Sequence, residues 1–465
     1  MPNVLFILTD DQGPWALGCS GNEEMRTPNL DRLAESGLRF EHFFCTSPVC
    51  SPARASLFTG RIPSQHGVHD WLKNGNADVE GDRAIPYLEG QLCYTDLLAE
   101  AGYNCAFTGK WHLGDSARPR KGFSHWRVHV RGGGPYYEAP MLWRGLLYHE
   151  PRYLTDAITE DALSCLDELA AGDRPFHLSV HYTAPHSPWD RDNHPSDLYD
   201  SFESCPFLSC PDLPSHPWKN PATPSGQGEE RRKVLQGYFA AVTAMDAGVG
   251  KLLDRLDSLG LGEDTLVVFM SDNGMNMGHH GIYGKGNGTF PLNMYDTSVH
   301  VPAIISRPGS VPQGVVRDRL YSQYDFFPTL MDYLDCACPD LSHLPGRSFA
   351  PLLRSQPVEE SPPVVVMDEY GPVRMIRDME WKYVHRYPYG PNELYDLGRD
   401  PQEENNLAEE RKHRALLEEM RARLQEWFLR YAEAERNGAT LPVTGKGQVD
   451  WVGTLGEGRR AFETP

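Results

Sequence analysis

The apolar run Val4 to Leu8 has no polar alternation and ends, through Thr9, on two adjacent aspartates, Asp10 and Asp11. Thr265 to Met270 repeats the pattern and ends on Ser271, Asp272 and Asn273. Strands this uniformly apolar are buried on both faces, which is the condition of a parallel sheet covered by helices. Ligands of open α/β sheets bind outside the carboxyl ends of the strands. A chain that places acids after two such strands is therefore expected to fold around a polar cleft at that end of the sheet.

The rest of the first three quarters fits that frame. Thr27 to Gly37 reads as a helix opened by Pro28 and closed by Gly37, and Thr95 to Gly102 as a short helix feeding a strand at Cys105 to Thr108. Thr155 to Gly172 carries a helical stripe (Ile158, Ala162, Leu166, Leu169) and precedes a strand at Phe176 to Tyr182. Residues 186 to 228 are rich in Pro, Ser, Asp and His and read as a long loop rimming a cleft; Glu229 to Gly260 reads as a long helix. Val301 to Ser306 and a helix around Tyr324 to Leu334 follow. Composition then changes between 339 and 362, and from Pro363 the chain reads as short strands (Val364 to Tyr370, Val373 to Arg377, Trp381 to Tyr387, Glu393 to Leu397) and a charged helix over about Leu407 to Asn437. The expected architecture is a large mixed, mostly parallel sheet flanked by helices over 1–355, and a small α+β subdomain with a short antiparallel sheet over 356–465.

A chain of 465 residues has room for about two or three domains, or one large domain with an appendage. The formal charge of -20 argues against nucleic-acid and anionic-membrane binding, so an anionic substrate must be drawn by a local basic cluster. No apolar run approaches the roughly 18 residues that span a bilayer. The start Met1-Pro2-Asn3 shows no basic n-region or cleavage site, so a cytoplasmic location is expected. The ten cysteines lack Cys-x-x-Cys spacing and are expected to be reduced thiols.

Polar residues gathered just after the strands are the candidates for chemistry: Asp10 and Asp11, Lys110-Trp111-His112, His186, and Asp272 with Asn273, joined by Cys50, Arg54 and Lys285. Three carboxylates and an amide oxygen form a hard oxygen set suited to Ca²⁺ or Mg²⁺. Taken singly each has an ordinary alternative. An acidic pair after a strand is often a cap, a glycine-flanked lysine such as Lys285 is often solvated, and His181, His279 and His280 rival His186.

The segment Cys50-Ser51-Pro52-Ala53-Arg54-Ala55-Ser56-Leu57-Phe58-Thr59-Gly60 places a thiol at a helix start with an arginine one turn later on the same face, where unpaired N–H groups receive an anion. It resembles the signature of type I, formylglycine-dependent sulfatases of the alkaline phosphatase superfamily. Gly109-Lys110-Trp111-His112-Leu113-Gly114, Ala184-Pro185-His186-Ser187-Pro188, Gly284-Lys285-Gly286 and the C-terminal Glu393-Leu394-Tyr395-Asp396-Leu397 are similar to the same family. The resemblance covers nearly the whole chain. It implies that a maturation enzyme, formylglycine-generating or radical, converts Cys50 to formylglycine. It also implies a metal site of Asp10, Asp11, Cys50, Asp272 and Asn273, with Ca²⁺ favoured over Mg²⁺.

In such an enzyme one hydroxyl of the hydrated aldehyde attacks sulfur, His186 with Lys285 assists the leaving oxygen, and His112 deprotonates the second hydroxyl so that sulfate is expelled. Arg54 and Lys110 surround the sulfate. A phosphonate monoester or phosphodiester hydrolase of the same superfamily is the nearest rival, and Asn273 after Asp272 speaks for sulfate. A ligand-binding protein that kept the fold is the other. A carbohydrate sulfate is the preferred substrate and an aryl or alkyl sulfate the runner-up. Candidate substrate contacts are His69, Asp70, Trp71 and Arg131, with Trp126, Trp143, Trp189 and Trp218 as further rings.

Overall fold

A computed structural model describes residues 1–75, 83–358, 362–370 and 372–463. In chain order the strands are β1 (Asn3–Thr9), β2 (Leu38–Phe44), β3 (Asn104–Lys110), β4 (Phe123–His129), β5 (Ala139–Trp143), β6 (Leu146–Glu150), β7 (Phe176–His181) and β8 (Thr265–Ser271). They continue as β9 (Asn276–Met277), β10 (Tyr283–Gly284), β11 (Ala303–Ser306), β12 (Val315–Ser322), β13 (Val364–Asp368), β14 (Val373–Arg377), β15 (Trp381–Arg386) and β16 (Glu393–Asp396). The helices are α1 (Pro28–Glu35), α2 (Cys50–Thr59), α3 (Pro63–His66), α4 (Tyr94–Glu100), α5 (Leu154–Ala170), α6 (Ser196–Asp200), α7 (Gly228–Ser258), α8 (Asp296–Val299), α9 (Phe326–Tyr333), α10 (Ala350–Leu353) and α11 (Arg414–Tyr431).

The first twelve strands, without β9 and β10, form one ten-stranded sheet in the order β12-β2-β11-β8-β1-β7-β3-β4-β5-β6. Its centre, β8 to β4, is parallel; β11 runs against both β8 and β2, and the β5–β6 hairpin closes the far edge antiparallel. Along β1, Val4, Phe6 and Leu8 enter the core under α2, α4 and α9, while Leu5 and Ile7 enter the core under α1, α5 and α7. This alternation buries β1 on both sides. The register sets Thr9 beside Ser271 and Leu8 beside His181, so the two acidic strand ends finish level with each other.

From β13 onward the chain forms a four-stranded antiparallel sheet, β13-β14-β15-β16, with α11 packed on it through Met420, Leu424 and Phe428. A buried ionic clasp ties this sheet to the large one. Lys382 Nζ pairs with Asp296 Oδ1 (2.9 Å) and with Glu403, Arg377 Nη2 pairs with Asp296 Oδ2 (3.1 Å), and the Asp296 amide donates to Glu403 Oε2 (2.6 Å). Among the described residues no helix is long and apolar enough to cross a membrane.

Three expectations need correction. The C-terminal helix runs Arg414–Tyr431, not from Leu407 to Asn437: the Leu407 amide is spent on the Leu394 carbonyl of β16, and the Glu433 amide on the Ser64 carbonyl, so the flanks leave the α-helical path and keep only short 3-10 turns at Arg411–His413 and Ala434–Arg436. The stretch 186 to 228 is not all loop, since α6 lies within it. The sequence reading also omitted β2, β4, β5, β6 and β12: all are partly exposed, β2, β4, β6 and β12 are interrupted by charged or histidine residues, and β5 is short and contains Pro140. The expected domain boundary at 355/356 adjoins residues 359–361, which lie outside the described residues.

Candidate active site

Cys50 begins α2, and all ten residues of that helix are buried. No side chain caps its N-terminus, so the first-turn N–H groups stay available to an anion. At the other end Thr59 Oγ1 donates to the Ala55 carbonyl (2.7 Å) and accepts from the Arg61 amide (3.2 Å), while Gly60 takes φ +66 and returns its N–H to Ser56 (2.8 Å). These contacts explain why a threonine and a glycine end the motif: they close the helix that presents Cys50.

Arg54, fully buried one turn later, joins the strand ends. Its Nε donates to Asp272 Oδ2 (2.9 Å), and its Nη1 to the Lys110 carbonyl (2.8 Å) and to His181 Nδ1 (3.3 Å). Nη2 has no partner among the described residues. His181, packed among Phe6, Phe58 and Phe107, thus serves as a prop for Arg54, while His279 packs on Trp15 and His280 stacks on Tyr295.

Lys110, the last residue of β3, pairs with Asp10 Oδ2. Lys285 Nζ reaches Asp11 Oδ1 (2.5 Å), Cys50 Sγ (2.9 Å) and Asn273 Oδ1 (3.4 Å). Asn273 Nδ2 donates to Asp11 Oδ1 (2.7 Å), and Asp272 Oδ1 accepts the amides of Asp11 (3.2 Å) and Asn273 (2.8 Å). Asp11 bends back at φ 62, a left-handed conformation that aspartate tolerates better than most residues. The structure therefore brings Asp10, Asp11, Cys50, Arg54, Lys110, Asp272, Asn273 and Lys285 together.

Oxygen atoms of Asp10, Asp11 and Asp272 lie within 4.8 Å of one another, and Asp10 Oδ1 is buried without a partner among the described residues. An all-oxygen set with an unspent carboxylate lone pair fits a hard divalent cation. Three carboxylates already face the three cations Arg54, Lys110 and Lys285, so an added ion would leave the site positive, ready for an anion.

Burial pushes the Asp10 carboxyl up, but Lys110, His186, Lys285 and Arg54 outweigh it and hold it well below the usual carboxylate range. Burial, and then the Asp10 charge, push the Cys50 thiol up to about 11, against Lys110 and Lys285. At neutral pH Cys50 as cysteine is a protonated thiol and a weak nucleophile. Burial, Lys110 and Arg54 hold His112 well below the usual imidazole range, so it is neutral.

Both site histidines have a defined tautomer, because each bonds a carbonyl that can only accept. His112 Nε2 donates to Leu72 O (3.2 Å), which leaves Nδ1 with the lone pair; His186 Nδ1 donates to Ser187 O (2.7 Å), which leaves Nε2 facing the site, 3.8 Å from Asp11 Oδ2.

Sequence reasoning missed what holds these groups in place. The run Gly132-Gly133-Gly134 crosses both rings: a methyl group at Gly132 would collide with the His112 imidazole, and one at Gly133 would lie 3.0 Å from His186 Cε1. Tyr136 Oη anchors this strap to the His186 carbonyl (2.8 Å). The glycine run is visible in the sequence as a place of close backbone approach. Gln323 is not: it accepts from the Thr46 amide (3.1 Å) and donates to the carbonyls of Ser271 (3.0 Å) and Asp272 (2.8 Å). Asn293 likewise holds the carbonyls of Lys285 and Gly286, both at 3.1 Å.

The proposed substrate residues separate. His69 and Asp70 are fully buried, and Asp70 accepts from the Trp71 amide (2.7 Å) and the Gly447 amide (3.0 Å) while the His69 amide donates to Gln448 Oε1 (2.9 Å). Asp70 and the His69 backbone thus hold the C-terminal segment in place, and both side chains are enclosed, as are those of Asp10, Arg54 and Asp272. Trp126 and Trp189 are likewise buried, their indoles bound to the carbonyls of Ser116 and Pro185. Trp71 and Trp218 are half-buried; Trp143 and Arg131, at the head of the glycine strap, are exposed. A cleft of about 580 Å³ leads from Asp11, His186 and Lys285 past Asn287 and Trp189 to Lys233.

A family model described as Sulfatase matches residues 2–336, and one described as N-sulphoglucosamine sulphohydrolase, C-terminal, matches residues 278–429. An ulvan-active sulfatase of Formosa agariphila is 31% identical over 446 residues, covering 91% of this chain and 80% of that protein. An N-acetylglucosamine-6-O-sulfatase of Bacteroides thetaiotaomicron is 26% identical over 521 residues, covering 93% and 87%. A solved structure in complex with its substrate D-glucosamine-2-N,6-O-disulfate superposes with a TM-score of 0.79 at 24% identity, covering 94% of this chain and 99% of that one; it shares the fold.

Proposed function

Because the chain belongs to the sulfatase family of the alkaline phosphatase superfamily, and so is a sulfuric ester hydrolase, we propose that it removes sulfate from a carbohydrate. In this proposal it does so through a formylglycine made from Cys50 and a Ca²⁺ ion held by Asp10, Asp11, Asp272, Asn273 and the modified residue 50. Support for the carbohydrate comes from the relatives' named substrates and from a cleft of about 580 Å³ beside the site, roomy enough for a sugar ring. The observation that carries the chemistry is the placing of Cys50: at the start of α2, its Sγ lies 2.9 Å from Lys285 Nζ and within 4.8 Å of an Asp10 oxygen, beside the acids that would hold the ion.

When bound, the ion and the hydrated aldehyde of residue 50 supply charge stabilisation and an oxygen nucleophile at neutral pH. The chain's own groups do the rest. Arg54, fixed by Asp272, offers its unspent Nη2 to a sulfate oxygen, and Lys110 and Lys285 place positive charge against the oxyanion. His186 keeps its Nδ1 proton on Ser187 and, in its doubly protonated form, delivers the Nε2 proton to the leaving sugar oxygen. His112 is neutral, with its lone pair on Nδ1, and takes the proton whose removal releases sulfate. Cys50 is 5% exposed, so the enzyme that oxidises it acts before the fold closes around α2.

Two measurements test this. Mass spectrometry of the Cys50 peptide should show oxygen in place of sulfur. Sulfate release should be faster from sulfated mono- and disaccharides than from aryl sulfates or from phosphate esters at equal concentration; preference for a phosphate ester would move the chain to the phosphate-directed branch.

A further inference from the structure

Behind the sheet, at the opposite end of β3 from Lys110, lies a second cleft of about 720 Å³. Asn104 and His125 contribute to its floor, Glu168 of α5 lies on one wall, and Arg118, Trp143 and Arg144 are on the other side. Its nearest β3 residue, Ala106, is four residue steps from Lys110, about 13 Å at the rise of a strand. It is a separate site.

Two observations single it out. First, Arg118 and Arg144 are exposed and neither forms an ion pair among the described residues, whereas the neighbouring Arg120, Arg127 and Arg152 all do. In a chain with 64 acidic and 44 basic residues, this cleft thus offers two guanidinium groups not already spent on a carboxylate among the described residues. Second, Arg144 stands at φ 52 in the two-residue turn that joins Trp143 to Leu146, followed by Gly145 at φ 75. That turn favours Asn, Asp or Gly at its first position, and an arginine there costs about 1 kcal/mol. The strained arginine is also aimed: its guanidinium carbon lies 4.8 Å from the centroid of the Trp143 ring, which is 43% exposed. Stacking fixes the direction of the planar fork before any ligand arrives.

We propose that this cleft binds a second stretch of a sulfated glycan chain, without cleaving it. Arg118 and Arg144 take sulfate oxygens, and Asn104 and Glu168 take sugar hydroxyls. The inference rests on the reading that the enzyme's substrates are sulfated carbohydrates. It goes beyond that reading by giving the enzyme a hold on a polymer away from the reacting ester.

The test is affinity electrophoresis of the full chain, made inactive by Cys50→Ala, in gels cast with dextran sulfate or with dextran. The chain should be retarded by dextran sulfate only. Arg118→Ala with Arg144→Gly should weaken that retardation about tenfold or more, the scale of losing at least one hydrogen bond to a charged group. Glycine suits the turn better than arginine does, so folding is preserved, and an active version of the double variant should turn over a small aryl sulfate at the parental rate. Retardation unchanged in the double variant, equal retardation by dextran, or none by dextran sulfate would overturn the proposal. Failure of the wild-type enzyme to release sulfate from any glycan would instead overturn the substrate reading, a result the gel does not depend on.

Discussion

Gly132→Ala is the sharpest probe of how the two histidines are held. Gly132 does not adopt a left-handed φ, so alanine is allowed by the backbone, and the penalty comes from space alone. The new methyl would sit within 3.0 Å of the His112 ring, a distance real Cβ atoms essentially never show. Relief to ordinary van der Waals contact needs about 1 Å of movement. His112 has little freedom to move: it is buried, tied through Nε2 to Leu72, and already at φ 52. The strap is pinned by Tyr136 Oη on the His186 carbonyl and by His129 Nδ1, which donates to the Arg131 carbonyl (2.7 Å). A displacement of that size at a proton-transferring group costs on the order of 10²-fold in rate, or about 2.7 kcal/mol of barrier, whereas local overpacking costs about 1–3 kcal/mol of stability. Steady-state sulfate release should show kcat down about a hundredfold, KM little changed, and a melting temperature only a few degrees lower. Gly134→Ala is the control, because its methyl would lie 3.4 Å from His129 Nε2, within tolerance. A folded Gly132→Ala enzyme with kcat within twofold of wild type, or equal damage from Gly134→Ala, would refute the reasoning.

Arg54→Lys should reduce kcat/KM by 10² or more, since a single ammonium cannot serve Asp272, the Lys110 carbonyl and a sulfate oxygen together; near-normal turnover would remove Arg54 from the mechanism. Chelation with EDTA should abolish sulfate release, Ca²⁺ should restore it, and saturating Ca²⁺ at a hundred times its dissociation constant should stabilise the fold by about 2.7 kcal/mol, read as a rise in melting temperature. His177 is fully buried and held down to about 3 by burial. Its folded value lies below the unfolded one, so its stability contribution is complete above about pH 6.5 and is lost as pH falls towards 3. Urea unfolding should therefore show wild type losing about 1.4 kcal/mol per pH unit more than His177→Gln below pH 6.5; parallel pH dependences would contradict this.

How much of the fold was legible from sequence depended on what each strand has to bury. β1 and β8 are apolar on both faces and could be read outright, and their ends named Asp10, Asp11, Asp272 and Asn273. The edge strands β6 and β12, and β5 beside the edge, face solvent on part of their length and carry mixed residues, so neither periodicity nor composition marked them. In the site, the charged groups that meet at the strand ends were legible because their types are chemically constrained. Gln323 and Asn293 were not, because a side-chain amide bonding backbone carbonyls has no sequence signature, and its partners are fixed only by the fold. Asp70 and His69 looked like substrate contacts because polar residues near a motif suggest a cleft. The segment 447–448 returns from the far end of the chain to cover them, which nothing local foretells.

The ionic clasp between the two sheets bears on protein engineering. Arg386 of β15 donates through Nε (3.0 Å) and Nη2 (2.7 Å) to the Leu292 carbonyl, and Lys382 and Glu403 grip Asp296. Between those grips lies Asn293, which accepts from Ser298 of α8 (2.6 Å) and steadies the backbone of Lys285. The loop that aims Lys285 at Asp11 and Cys50 is thus a shared part of two modules. A chimera that takes residues 1–355 from this chain and its C-terminal sheet from a relative would inherit every acid, base and cation of the cleft and still misplace one of them. A productive exchange would have to move residues 285–299 together with the sheet that holds them.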